Sequence, residues 1–198
     1  MENNSKLIQQ KNKRRDVRLQ SIYSRCLITR NIALPITTIG KNITEIIEEN
    51  IKACFEGKCV VEGYIKPNSS KIITYSSGII VKGNCVSFEV VFECDVCFPV
   101  EGMLITCVAK NITKAGIRAE SAVDIPSPIV VFVTKDHHYN STYFSEIKEG
   151  DKINVRVIGQ RFELNDKYIS IIAELIKEKE SFIIKPKQPF KPRIVIED

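Results

Sequence analysis

The chain has 198 residues, is 43% hydrophobic and 27% charged, and carries a net charge of +5. That balance belongs to a soluble globular protein and excludes a fibrous fold or wholesale disorder. No run of eighteen apolar residues occurs, and residues 1–18 (MENNSKLIQQKNKRRDVR) have no apolar stretch, so neither a membrane span nor a secretory signal is expected and the protein is expected to stay inside a cell.

The charge is unevenly spread: residues 1–30 carry +6 and residues 31–198 sum to −1, so the body is not basic enough for tight DNA binding by electrostatics alone. Residues 1–18 read as a basic flexible tail. The seven cysteines are odd in number and sit mostly inside apolar runs, as expected of reduced thiols packed as small hydrophobes rather than a disulfide framework.

In chain order, residues 22–34 alternate as a strand does, and Pro35 ends the run because proline cannot donate to a ladder. The period then changes. Ile43, Ile46, Ile47, Ile51 and Cys54 recur at three and four residues with Glu45, Glu48, Glu49 and Lys52 between them, which predicts an amphipathic helix stopped at Gly57. Residues 59–65 and 71–75 read as strands flanking a polar turn at 66–70. Breaks at Ser77-Gly78 and Gly83-Asn84 precede a long strand over 86–97. One helix on an antiparallel sheet, over residues 19–99, is a small α+β layer pair.

After residues 98–101 a second series begins: strands at 103–111, 115–119, 129–134, 153–162 and 168–175, with a helical turn near 143–147. Five strands suit a closed Greek-key barrel of oligonucleotide-binding (OB) type over residues 100–176, whereas a sandwich would need about seven. Residues 177–198 hold Pro186, Pro189 and Pro192 and read as an extended tail, with residues 182–184 able to add to a sheet edge.

Cys94 and Cys97 have the spacing of half a zinc site, but within one strand residues three apart point to opposite faces, so packing is the expected role. His137 and His138 read as loop histidines, with nucleic-acid contact as the other reading because Lys135 and aromatic rings lie beside them. There is no metalloprotease helix motif, nucleophile elbow or glycine-rich phosphate loop, so no enzyme, cofactor or metal is expected. Asn-X-Ser/Thr sequences such as those at Asn42, Asn111 and Asn140 carry no meaning without secretion.

Residues 56–59 (EGKC), 63–65 (GYI), 78–80 (GII), 88–92 (FEVVF) and 98–102 (FPVEG) fall in an order that resembles the stalk subunit of multisubunit DNA-dependent RNA polymerases. That family comprises the seventh-largest subunit of eukaryotic RNA polymerase II, its archaeal counterpart and versions encoded by large DNA viruses. The resemblance spans about residues 22–176. It implies a ribonucleoprotein-like tip domain that docks on the polymerase core, followed by an S1/OB barrel that meets nascent RNA, with a smaller stalk protein as a further partner. Carried over by position, Gly63, Tyr64, Ile65, Pro67 and Gly78 are the implied core contacts. Lys110, Lys114, Arg118, Phe132, Lys135, His137, Arg156 and Arg161 are the implied RNA contacts. S1 barrels often carry an aromatic beside the glycine of the second strand; residues 114–118 (KAGIR) have none, so RNA contact is expected to be weak and salt-sensitive. The alternative, a free-standing S1-barrel translation factor, fits less well because the initiation factor most like this chain puts its barrel first. Richness in Ile, Asn and Lys agrees with a viral source. Location would follow source: nucleus for a cellular protein, viral factory or virion for a viral one.

Overall fold

A computed structural model describes residues 21–40, 42–138 and 142–176. The two expected tails, 1–18 and 177–198, and the proposed edge addition by residues 182–184 lie outside the described residues. What is described is mostly β, with a six-stranded sheet followed by a closed five-stranded barrel.

The sheet is built on β1 (Tyr23–Pro35) and a second 13-residue strand, here β6 (Cys85–Cys97), paired antiparallel along their whole length, Tyr23 opposite Cys97 and Pro35 opposite Cys85. The alternation read from the sequence decides the faces. Ile28, Ile32 and Leu34 of β1 and Val86, Phe88, Val90, Phe92, Cys94 and Val96 of β6 all point to one buried side. That side is covered by α1 (Ile43–Phe55), which buries Ile47 and Ile51 completely, each contributing about 1.5–3 kcal/mol. Lys58 Nζ donates to the carbonyls of Ala53 and Cys54 (3.0 and 3.4 Å), satisfying acceptors that the helix end leaves open.

The apolar run at 59–65 is two strands, not one: β2 (Cys59–Val60) and β3 (Gly63–Ile65) form a hairpin that turns at Val61 and Glu62. The reason is Gly63, whose φ of +130° is open to glycine and strained for any other residue. β4 (Lys71–Tyr75) follows the expected run, whereas β5 (Ile79–Val81) occupies a stretch read as broken. Both pair with the free edge of β6.

The barrel closes in the order β10-β11-β9-β8-β7, from β7 (Leu104–Ile112), β8 (Gly116–Ser121), β9 (Ile129–Thr134), β10 (Lys152–Arg161) and β11 (Ile169–Ile176). Its interior is filled by alternate residues such as Ile105, Cys107, Ile117, Val131, Val155 and Ile171. α2 (Thr142–Glu146) sits close to the expected helical turn and buries Phe144. β8 and β9 approach closely at Gly116, where a Cβ would lie 2.3 Å from the Val133 carbonyl oxygen. Gly116→Ala is therefore expected to cost about 1–3 kcal/mol, measurable as a lowered denaturation midpoint.

The sheet and the barrel share side chains. Cys59, Tyr64 and Cys97 come from the first half yet are buried in the same cluster as the barrel interior. The Cys59 N–H donates to Asp166 O (2.8 Å) and the Asn165 N–H donates to Cys59 O (2.9 Å), which laces the β2–β3 hairpin to the β10–β11 turn. Phe98 meets Phe162 edge to face at 6.2 Å. Lys66 Nζ lies 4.7 Å above the Tyr23 ring and 3.9 Å from Asp124 of the β8–β9 loop.

Candidate functional site

The cysteines divide by core. Cys94 packs beneath α1 and Cys97 packs in the barrel cluster, so one ion cannot reach both sulfurs. Burial pushes the Cys94, Cys97 and Cys107 thiols up to about 12, and burial with Asp166 nearby pushes Cys59 up to about 11. None of the four is poised as a nucleophile. The unfolded chain ionises these thiols near 9 while the folded protein holds the protons until 11–12, so stability is fully present below about pH 9 and falls as pH rises beyond it. In the native protein at pH 8, a thiol reagent is expected to titrate only Cys26, Cys54 and Cys85; the other four should react on unfolding.

The residues implied as RNA contacts separate into two groups. Arg118 on β8 lies directly opposite Phe132 on β9, and Phe132 lies opposite Ile172 on β11, all three side chains on the barrel exterior. Phe132 is 42% exposed and Ile172 49%, which leaves a flat apolar strip beside a guanidinium. Lys110 sits at the irregularity in the β7–β8 ladder next to Arg118's partner Asn111. Lys135 opens the 3-10 turn at Lys135–His137, and its N–H donates to the carbonyl of Ala115 (3.0 Å), which brings it beside Lys114. These six residues, His137 included, therefore gather on β7, β8, β9 and their turns. Among the described residues Lys110, Lys114 and Lys135 form no ion pair, whereas Arg118 is paired to Glu120 at 3.4 Å. Strands two and three of an OB barrel form its usual oligonucleotide face, and β8 and β9 hold those places.

Arg156 and Arg161 do not join this group. Both lie on β10, where Arg156 is held by Glu174 (2.7 Å) and Arg161 by Glu163 (3.3 Å). Their charge is largely answered locally.

The implied docking residues divide as well. Gly63, Tyr64 and Ile65 are buried; Tyr64, 1% exposed, packs in the cluster shared with the barrel and Ile65, 0% exposed, in the core beneath α1, so neither side chain is open to a partner. Gly78 is close-packed: a Cβ there would lie 2.5 Å from Val86 Cγ1 and 2.8 Å from Phe88 Cε1. Of the five, Pro67 and Gly78 alone reach the surface. Leu27, Val61 and Ile73 of this half are exposed singly, whereas adjacent exposed isoleucines lie one step along the chain from Gly78, in β5. Ile79 is 68% and Ile80 76% exposed, on an edge strand at the end of the sheet farthest from the barrel in the β6 register. Sequence reading passed over it because Gly78 and Gly83 bracket only three strand residues.

No family model matches the chain. The chain is 27% identical over 172 residues to a protein of Acanthamoeba polyphaga mimivirus named a "putative DNA-directed RNA polymerase subunit", covering 79% of this chain and 83% of that one.

Proposed function

We propose that this protein is a non-catalytic stalk subunit of a DNA-dependent RNA polymerase, encoded by a large DNA virus. Its sheet half docks on the enzyme core and its barrel meets nascent RNA. The observation that carries the reading is the similarity to the mimivirus protein, which extends over most of both chains and so is not a likeness of one common barrel. The order of parts supports it, with a helix-covered sheet first and a closed barrel second. Docking is assigned to the exposed edge strand β5, because apolar side chains left in water on an edge that no described strand pairs are what a protein partner covers. RNA is assigned to the Arg118–Phe132 face, where a ring can stack on any base and the unpaired lysines can meet phosphates.

The RNA assignment is tested with a short oligouridylate and fluorescence anisotropy. Phe132→Ala is expected to weaken binding by about 1–3 kcal/mol, and Lys135→Ala to reduce the salt dependence by roughly one phosphate contact. Equal affinity for wild type and Phe132→Ala would remove Phe132 from the site.

A further inference from the structure

We infer that His138 is a positioning residue that holds the Lys135–His137 turn against the barrel, an inference that rests on the nucleic-acid reading of that face. The two histidines are adjacent in sequence and differ in placement. His137 is exposed, while His138 is half-buried and both its ring nitrogens are engaged.

The Leu175 backbone N–H lies 2.8 Å from His138 Nε2. A backbone N–H can only donate, so Nε2 accepts and carries no proton. The proton of the neutral ring is then on Nδ1, 2.9 Å from the Thr134 carbonyl oxygen, which can only accept. The two bonds together select one state of the side chain, the neutral Nδ1–H tautomer. The ring also stacks on Phe144 of α2, with centroids 5.6 Å apart and planes 20° from parallel. One imidazole thus ties the end of β9 to β11 and to α2.

The turn between these anchors is three residues long and closed by the His138 N–H on Lys135 O (2.8 Å). On its other flank the Lys135 N–H bonds Ala115 O (3.0 Å). Removing the ring leaves both backbone bonds and cuts the ties of the turn's far end to β11 and α2, so that the turn is held to the barrel on the Lys135 side alone. The turn that carries Lys135 beside Lys114 is then less firmly placed, and the entropy of ordering it returns to the binding step.

The test is a double-mutant cycle on the full chain, read as affinity for a twelve-nucleotide oligouridylate. His138→Ala is expected to weaken binding about threefold to tenfold, and in that background Lys135→Ala should cost distinctly less than it does alone, the non-additivity of coupled neighbours. Lys52→Ala, on α1, should show no coupling. His138→Gln, which keeps an acceptor within reach of the Leu175 N–H, should recover part of the loss and covers the case in which His138→Ala does not fold. Nitrogen chemical shifts should show an unprotonated, hydrogen-bonded Nε2 in the wild type, and the Leu175 amide should lose exchange protection in His138→Ala. Additive losses, or a protonated Nε2, overturn the inference and leave the RNA face standing. A wild type that does not bind the oligonucleotide overturns the RNA face, and the positioning role with it.

Discussion

Tyr64→Ala is expected to lower the stability of the whole chain by about 3–5 kcal/mol, the cost of removing a fully buried aromatic from a core that cannot collapse around the gap. The position makes the effect large. Tyr64 belongs to β3 by sequence and pairs there with Cys97 of β6, yet its side chain lies in the cluster that fills the barrel. A cavity there weakens the sheet's hold on the barrel and the barrel's own packing together. Gly63→Ala should act at the same place, since a Cβ would lie 2.4 Å from the Cys97 carbonyl oxygen on a backbone already at a φ of +130°. Denaturant unfolding monitored by circular dichroism measures both. A Tyr64→Ala protein with wild-type stability would return Tyr64 to the surface role first implied by its position.

The second large effect falls on binding with stability nearly unchanged. Ile79→Glu combined with Ile80→Glu should cost no more than about 1 kcal/mol in folding, because both side chains are mostly in water and only strand propensity is lost. Two buried carboxylates in an apolar contact should nevertheless weaken docking by far more than the ~1.4 kcal/mol that separates each tenfold step in affinity. The informative result is the dissociation of the two readouts. If the double variant keeps its melting behaviour and still accompanies the polymerase, the β5 edge is not the docking surface.

How far the sequence could be read depended on whether the relevant physics was local. β6 and β11 were plain because their side chains largely alternate between a packed and a more open face, and β9 because it is a short, mostly β-branched apolar run, each a property of near neighbours. Val61 to Gly63 hid a chain reversal inside an apolar run, since nothing but the positive φ of Gly63 distinguishes hairpin from strand. The site divides in the same way. Lysines and an alternating phenylalanine near one turn were visible, and the register then brought Arg118 opposite Phe132. Tyr64 could not be placed, because its burial depends on a barrel that begins about forty residues later. His138 was hidden for a related reason: its partners Thr134, Phe144 and Leu175 meet only when β9, α2 and β11 have assembled.

The joint gives these surfaces their fixed relation. Cys59, Tyr64 and Cys97 fill one core with the barrel, and the β2–β3 hairpin shares two backbone hydrogen bonds with the β10–β11 turn. In the proposed complex, a sheet docked through β5 would carry the Arg118–Phe132 face at a set distance from the core. Insertion of a flexible linker after Pro99 should then impair transcription more than it impairs the folding of either half.

Affinity purification of the tagged chain from cells in which it is naturally expressed, followed by identification of the proteins that accompany it, decides whether it travels with a polymerase. The largest subunits of a DNA-dependent RNA polymerase should be recovered in near-equal amount with the wild type and lost with Ile79→Glu/Ile80→Glu. Recovery of ribosomal proteins in their place, with no polymerase subunit, would contradict the proposed function.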